Sequence, residues 1–157
     1  MMVGTPDNCV HMLENEQCVM VFPEGARGAN KPFHKRYQLQ PFGQGFMRLA
    51  LESDTPIVPV GIVGSEEQQP GIANLEDLGR SLSLPSFPIT ITSPWFGPLG
   101  NAMALPVKYR IYFGQPLHFE GSSNDEDSVI QGKVDVVKAS MRGLLARGLR
   151  ERSGIFT

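Results

Sequence analysis

The run Cys18-Val19-Met20-Val21-Phe22 is apolar at every position. A half-buried strand alternates apolar and polar residues, so an unbroken run suits a strand covered on both faces. That condition belongs to a parallel sheet flanked by helices. The run enters the turn Pro23-Glu24-Gly25-Ala26-Arg27-Gly28. An apolar strand that empties into a Pro-Glu-Gly turn, with an arginine just beyond, is a place to hold an anion. Lys31, His34, Lys35 and Arg36 follow, so positive charge gathers behind the turn.

The rest of the chain supplies partners for such a strand. Asp7 or Asn8 is expected to cap a short helix reaching about Asn15, with Cys9, Met12 and Leu13 inward. Phe42, Phe46, Leu49 and Ala50 fall at helical spacing and predict a helix from Phe42 to Ser53, which Thr55-Pro56 stops. Ile57 to Val63 reads as a second buried strand. Pro59 cannot donate to a ladder, which puts that strand at an edge or gives it a bulge. Strand, crossover helix and strand then make a right-handed βαβ unit. Leu75, Leu78 and Leu82 predict a helix over 74–82, and Pro85 to Pro106 reads as a long loop. Tyr109 to Phe113 alternates as a third strand. After a polar linker from Gly121 to Asp127, Ile130, Val134, Val137, Met141 and Leu144 form one stripe of a final helix. Arg142, Arg147, Arg150 and Arg152 gather toward its C-terminal end, where the helix dipole favours cations. The expected fold class is α/β: one domain over 1–157, with a mostly parallel sheet, βαβ units and flanking helices.

Composition narrows the function. A chain of 157 residues can bury one core but not two ordinary ones. A net charge of −2 argues against a dedicated nucleic-acid binder, so any basic feature is local. Two cysteines, Cys9 and Cys18, are too few for a disulfide framework and lack the spacing of a zinc site. Cys18 lies inside the apolar run and reads as a buried thiol, in keeping with a reducing, cytoplasmic setting. No apolar run approaches the roughly 20 residues that a bilayer crossing requires. The N-terminus lacks the charged and apolar regions of a signal peptide.

Generic motifs fail. Gly43-Gln44-Gly45 is followed by Arg48 where a dinucleotide fingerprint has glycine. Gly25 to Lys31 lacks the Gly-Lys-Ser/Thr ending of a phosphate loop. Gly64-Ser65-Glu66 is not a nucleophile elbow, which disfavours a generic hydrolase. The three histidines have no partner at metal spacing.

Phe22-Pro23-Glu24-Gly25-Ala26-Arg27 does match a specific pattern. It resembles the Phe-Pro-Glu-Gly-x-Arg block of the glycerolipid acyltransferases. Pro56-Ile57-Val58-Pro59-Val60 is similar to that family's next block, and Gly4 to Leu13 to a weaker preceding one. Tyr37, Phe42-Gly43-Gln44-Gly45-Phe46 and Gly64-Ser65-Glu66-Glu67 resemble its monoacylglycerol-acyltransferase-like branch. So do Pro94 to Gly100 and Phe113-Gly114-Gln115-Pro116. The resemblance implies transfer of an acyl group from coenzyme A or acyl carrier protein to a glycerolipid or related hydroxyl, as in phospholipid biosynthesis. Apart from that acyl thioester co-substrate, it implies no cofactor. It also implies that Glu24, Gly25 and Arg27 bind the acceptor's polar head. Gly25 permits a tight turn, Arg27 offers a planar fork for phosphate or ester oxygens, and Glu24 accepts from hydroxyls or orients Arg27. Lys31, Lys35 and Arg36 either meet carrier phosphates and anionic lipid heads or belong to a solvated loop. Phe33 and Tyr37 read as packing residues. The apolar residues of 87–105, Trp95 and Phe96 among them, dock on a membrane, line an acyl channel or fold over the core.

Acyl transfer to a hydroxyl needs a base near neutrality and a group to orient it. The family supplies these as His-x-x-x-x-Asp, upstream of the glutamate turn. Here His34 is followed five positions on by Leu39, and His118 by Ser123. His11 is followed by Glu16, but on a helix residues five apart do not share a face. No catalytic residue is therefore assigned. The chain is expected to be the C-terminal two-thirds of an acyltransferase domain, inactive alone, with peripheral contact at the inner membrane face. The alternative is a non-catalytic lipid-binding or membrane-docking remnant.

Overall fold

The computed structural model describes residues 5–29, 31, 33–68, 71–74, 88–90 and 105–154. The chain opens with helix α1 (Pro6–Glu14). Its cap is Thr5, whose hydroxyl accepts the Asn8 N–H, and not Asp7 or Asn8. Proline in the first turn loses no hydrogen bond there, so the helix starts at Pro6, ahead of both candidates.

Residues 18–22 do not form the expected strand. They carry no regular secondary structure, and Cys18 is exposed. Met20 and Phe22 stand 78% and 73% exposed. A continuous apolar run reports fitness for two-sided burial and not the presence of the covering surfaces. Among the described residues no strand lies beside it. The buried-thiol reading of Cys18 falls with the strand, because that burial depended on it.

Beyond the short helix α2 (Ala26–Ala29) and a 3-10 turn (Phe33–Lys35), helix α3 (Gly45–Glu52) occupies the middle of the span expected from spacing. Strand β1 (Val60–Val63) follows, then helix α4 (Ser65–Gln68), strands β2 (Gly71–Asn74), β3 (Pro88–Thr90) and β4 (Arg110–Phe113), and helix α5 (Asp127–Glu151). The predicted helix over 74–82 lies outside the described residues except for Asn74, which ends β2 instead, and of the expected loop 85–106 the described residues 88–90 form strand β3, paired with β2.

The sheet is not parallel. β1 pairs antiparallel with β4 in the register Val60 to Phe113 through Val63 to Arg110. β2 and β3 make a second antiparallel pair. With no strand at 18–22, the βαβ unit has no first member, and β1 takes its hydrogen bonds from the later strand instead. Pro59 lies just outside β1, which starts at Val60 and pairs on one side only, with β4. An isolated bridge joins Ile57 to Leu117, and the Pro59 carbonyl accepts the Gly114 N–H at 2.8 Å.

Helix α5 covers one face of the β1–β4 pair. Its buried Ile130, Val134 and Val137 also close a core with Phe42 and Met47. Two glycines bring helix and sheet together. A Cβ on Gly61 would lie 2.9 Å from the Leu144 Cβ. One on Gly148 would lie 2.5 Å from the Tyr112 ring and 2.7 Å from a Val63 methyl. The opposite face, with Ile62, Ile111 and Phe113, is exposed. Polar contacts lock the helix layer: Arg48 pairs with Asp127 at 2.6 Å, and Lys138 donates to the Gln40 carbonyl at 2.8 Å.

Candidate functional site

The Glu24 turn closes on itself. The Phe22 carbonyl accepts the Gly25 N–H at 3.0 Å, and Gly25 takes φ +56, which glycine adopts without steric cost. The Pro23 carbonyl accepts the Gly43 N–H at 2.9 Å, tying the turn to the approach of α3. The Glu24 carboxylate folds back over the next turn. A Cβ on Gly28 would come within 2.6 Å of its Oε2, so only glycine leaves it room there.

Lys31 lies against that carboxylate. Its Nζ is 3.8 Å from Glu24 Oε2, donates to Glu66 Oε1 at 2.9 Å, and also donates to the Gln38 carbonyl at 3.1 Å. The Lys31 side chain is 7% exposed, so its charge is turned inward. Arg27 is different. It is exposed and has neither hydrogen bond nor ion pair among the described residues. Lys35 is exposed on the 3-10 turn. Arg36 lies over the Phe33 ring, 4.5 Å from its centroid. Of the three cations grouped behind the turn, the structure places Lys31 inside and Lys35 and Arg36 outside.

Tyr37 joins this loop to the end of β1. Its φ of +60 is costly for a side chain of that size, and bonds on both ends hold it. Its N–H donates to Glu66 Oε2 at 2.8 Å, and its hydroxyl accepts the Gly64 N–H at 2.9 Å. Burial raises the Tyr37 pKa, against the Gly64 hydrogen bond, which lowers it. The folded pKa thus lies above the unfolded one. The stability this group contributes is complete below about pH 10 and is lost as pH rises through the folded value. Tyr37→Phe is expected to flatten the loss of stability above pH 10. It also lowers stability at neutral pH by about 1–3 kcal/mol, since the buried Gly64 N–H loses its acceptor. Urea midpoints measured across the alkaline range check this; parallel curves for both proteins would contradict it.

Glu67 is the buried charge of the region, its side chain 2% exposed. Arg152, just past α5, donates to Glu67 Oε2 at 2.6 Å and stands 5.7 Å from the Tyr37 ring centroid. The other oxygen, Oε1, has no hydrogen-bond partner, and Arg36 Nε is 3.9 Å away. A line of alternating charge therefore runs from Glu24 through Lys31 to Glu66, and beside it from Arg36 through Glu67 to Arg152. Sequence reasoning quoted Tyr37 and the Gly64–Glu67 segment without giving them this task, and read Arg152 only as a dipole partner. Two adjacent glutamates directly after a buried strand were the available signal.

The histidines stay apart from this line. The His11 ring faces Asn15, 3.3 Å away, on the exposed side of α1. Glu16 lies beyond the end of that helix at φ +57. His34 and His118 are exposed. Among the described residues no three metal-ligating side chains cluster, and no helix is long and apolar enough to cross a membrane.

Residues 2–63 match the acyltransferase family model. Uncharacterized proteins of Mycobacterium bovis and Mycobacterium tuberculosis are each 40% identical over 149 residues, which is 92% of this chain and 41% of the relative. Phytyl ester synthase 1, chloroplastic, of Arabidopsis thaliana is 25% identical over 170 residues, 94% of this chain and 24% of the relative. The chain spans about two fifths of the length of the mycobacterial relatives it matches. No solved structure matches the chain significantly.

Proposed function

We propose that this chain, whose residues 2–63 match the acyltransferase family model, holds the hydroxyl acceptor in an acyl transfer from coenzyme A or acyl carrier protein. The acceptor is a glycerolipid or a related alcohol with an anionic or ester-bearing head. The observation that carries this reading is Arg27, exposed on the same turn as Glu24 and without a hydrogen bond or ion pair among the described residues. An exposed arginine offers its planar fork to phosphate or ester oxygens. Glu24, fixed beside it, accepts from the acceptor's hydroxyl. The name of the Arabidopsis relative, an ester synthase, agrees with a hydroxyl acceptor. His-x-x-x-x-Asp does not occur in the 157 residues, so binding and not proton removal is the task assigned to them.

Flotation with phosphatidylcholine vesicles containing lysophosphatidate tests the reading. Arg27→Ala is expected to weaken binding about tenfold or more, the worth of a lost charge-assisted hydrogen bond. Equal binding by both proteins would overturn it. A second reading, a non-catalytic membrane-docking domain, is favoured by the exposed Met20, Val21 and Phe22. It expects binding to vesicles without lysophosphatidate, insensitive to Arg27→Ala and lost in Met20→Ser/Phe22→Ser.

A further inference from the structure

Glu24 and Arg27 are opposite charges three positions apart, one on the turn and the other in the helix α2 that follows it, and opposite charges at short range attract. Left to themselves they would neutralise each other, and Arg27 would offer a ligand nothing. Arg27 is nevertheless exposed and unpaired among the described residues. The Glu24 carboxylate instead points over Gly28 toward Lys31, with Oε2 3.8 Å from Nζ. Lys31 is itself held by two other acceptors, Glu66 at 2.9 Å and the Gln38 carbonyl at 3.1 Å. It is almost buried, so solvent screens its charge little.

We propose that Lys31 is a positioning residue that occupies Glu24 and so keeps Arg27 free for an anionic group. Glu66, across the loop, fixes Lys31 for this task. The reading extends the acceptor-binding turn and rests on it, but it names a cause not contained there. Lys31 does not touch the ligand; it acts through Glu24. Glu66 lies beyond the 2–63 span that matches the family. Without Lys31, Glu24 carries an uncompensated negative charge beside the arginine. It then draws Arg27 onto itself and repels an incoming anion.

The test reads Arg27 directly, with no ligand present. Phenylglyoxal modifies accessible guanidinium groups, and peptide mass spectrometry follows Arg27 alone. In Lys31→Met, Arg27 is expected to react about three- to fivefold more slowly, the effect of one new, partly exposed ion pair. The double variant Lys31→Met/Glu24→Gln restores the original rate, because no carboxylate remains to capture the arginine. Lys31→Arg keeps the charge and the original rate; if Lys31→Met does not fold, Lys31→Gln takes its place as the charge-removing variant. Unchanged reactivity in the charge-removing variant, or a slowing that Glu24→Gln does not reverse, overturns the proposal. A merely structural Lys31 would change melting temperature without the reversal. Because labelling needs no acceptor, its outcome is independent of whether lysophosphatidate vesicles bind.

Discussion

Replacing Arg152 by alanine is expected to destabilise the protein by about 3–5 kcal/mol, the range for breaking a buried ion pair from one side. Glu67 is almost wholly buried, and Arg152 supplies the hydrogen bond to its Oε2 at 2.6 Å. The second oxygen has no hydrogen bond, and Arg36 stands off at 3.9 Å. Removing Arg152 therefore strands a carboxylate in the interior. The same change releases the end of α5 from helix α4 and from the Tyr37 ring. Urea denaturation of the variant, compared with Arg152→Ala/Glu67→Leu, separates the two costs. The double variant carries no stranded charge and is expected to recover most of the loss. A loss below about 1 kcal/mol, the ordinary worth of a surface pair, would contradict the account.

Gly148→Val is the second large effect. Helix α5 approaches the sheet through this residue, and a Cβ there would meet the Tyr112 ring at 2.5 Å and a Val63 methyl at 2.7 Å. Neither neighbour yields freely. Val63 is buried in β1, and Tyr112 sits in the register pair opposite Gly61, against which Leu144 also packs. Helix and sheet must separate, at a cost of about 3 kcal/mol, the upper end for overpacking. Gly143→Ala on the same helix, where no atom lies within 4 Å, is the control. It is expected to be neutral or to stabilise by up to about 1 kcal/mol through helix propensity. Thermal melts of the two variants check this, and similar melting temperatures would contradict it.

Helices α3 and α5 were legible because each carries its own period, whereas the one-turn helices α2 and α4 are too short to carry one. The stripe from Ile130 to Leu144 placed α5, and Phe42, Phe46 and Ala50 placed α3 to within three residues at its start. Strands β1 and β4 were also legible in place, but not in direction. Parallel pairing was inferred from the apolar run at 18–22, and local sequence does not state which strand becomes a neighbour. The Glu24–Arg27 turn was visible as a pattern of residue types. What was not visible is which cation would face inward. Lys31, Lys35 and Arg36 look alike in sequence. Only the fold brings Glu66 across 35 positions to Lys31 and Arg152 across 85 positions to Glu67.

The central proposal is that these 157 residues hold an acyl acceptor without taking its proton. Incubating the chain with oleoyl-coenzyme A and lysophosphatidate, and measuring ester formation by mass spectrometry, tests it most directly. The account predicts no ester above the protein-free rate under conditions where the chain binds lysophosphatidate vesicles. Thioester-dependent ester formation by this chain, abolished in Arg27→Ala, would contradict it.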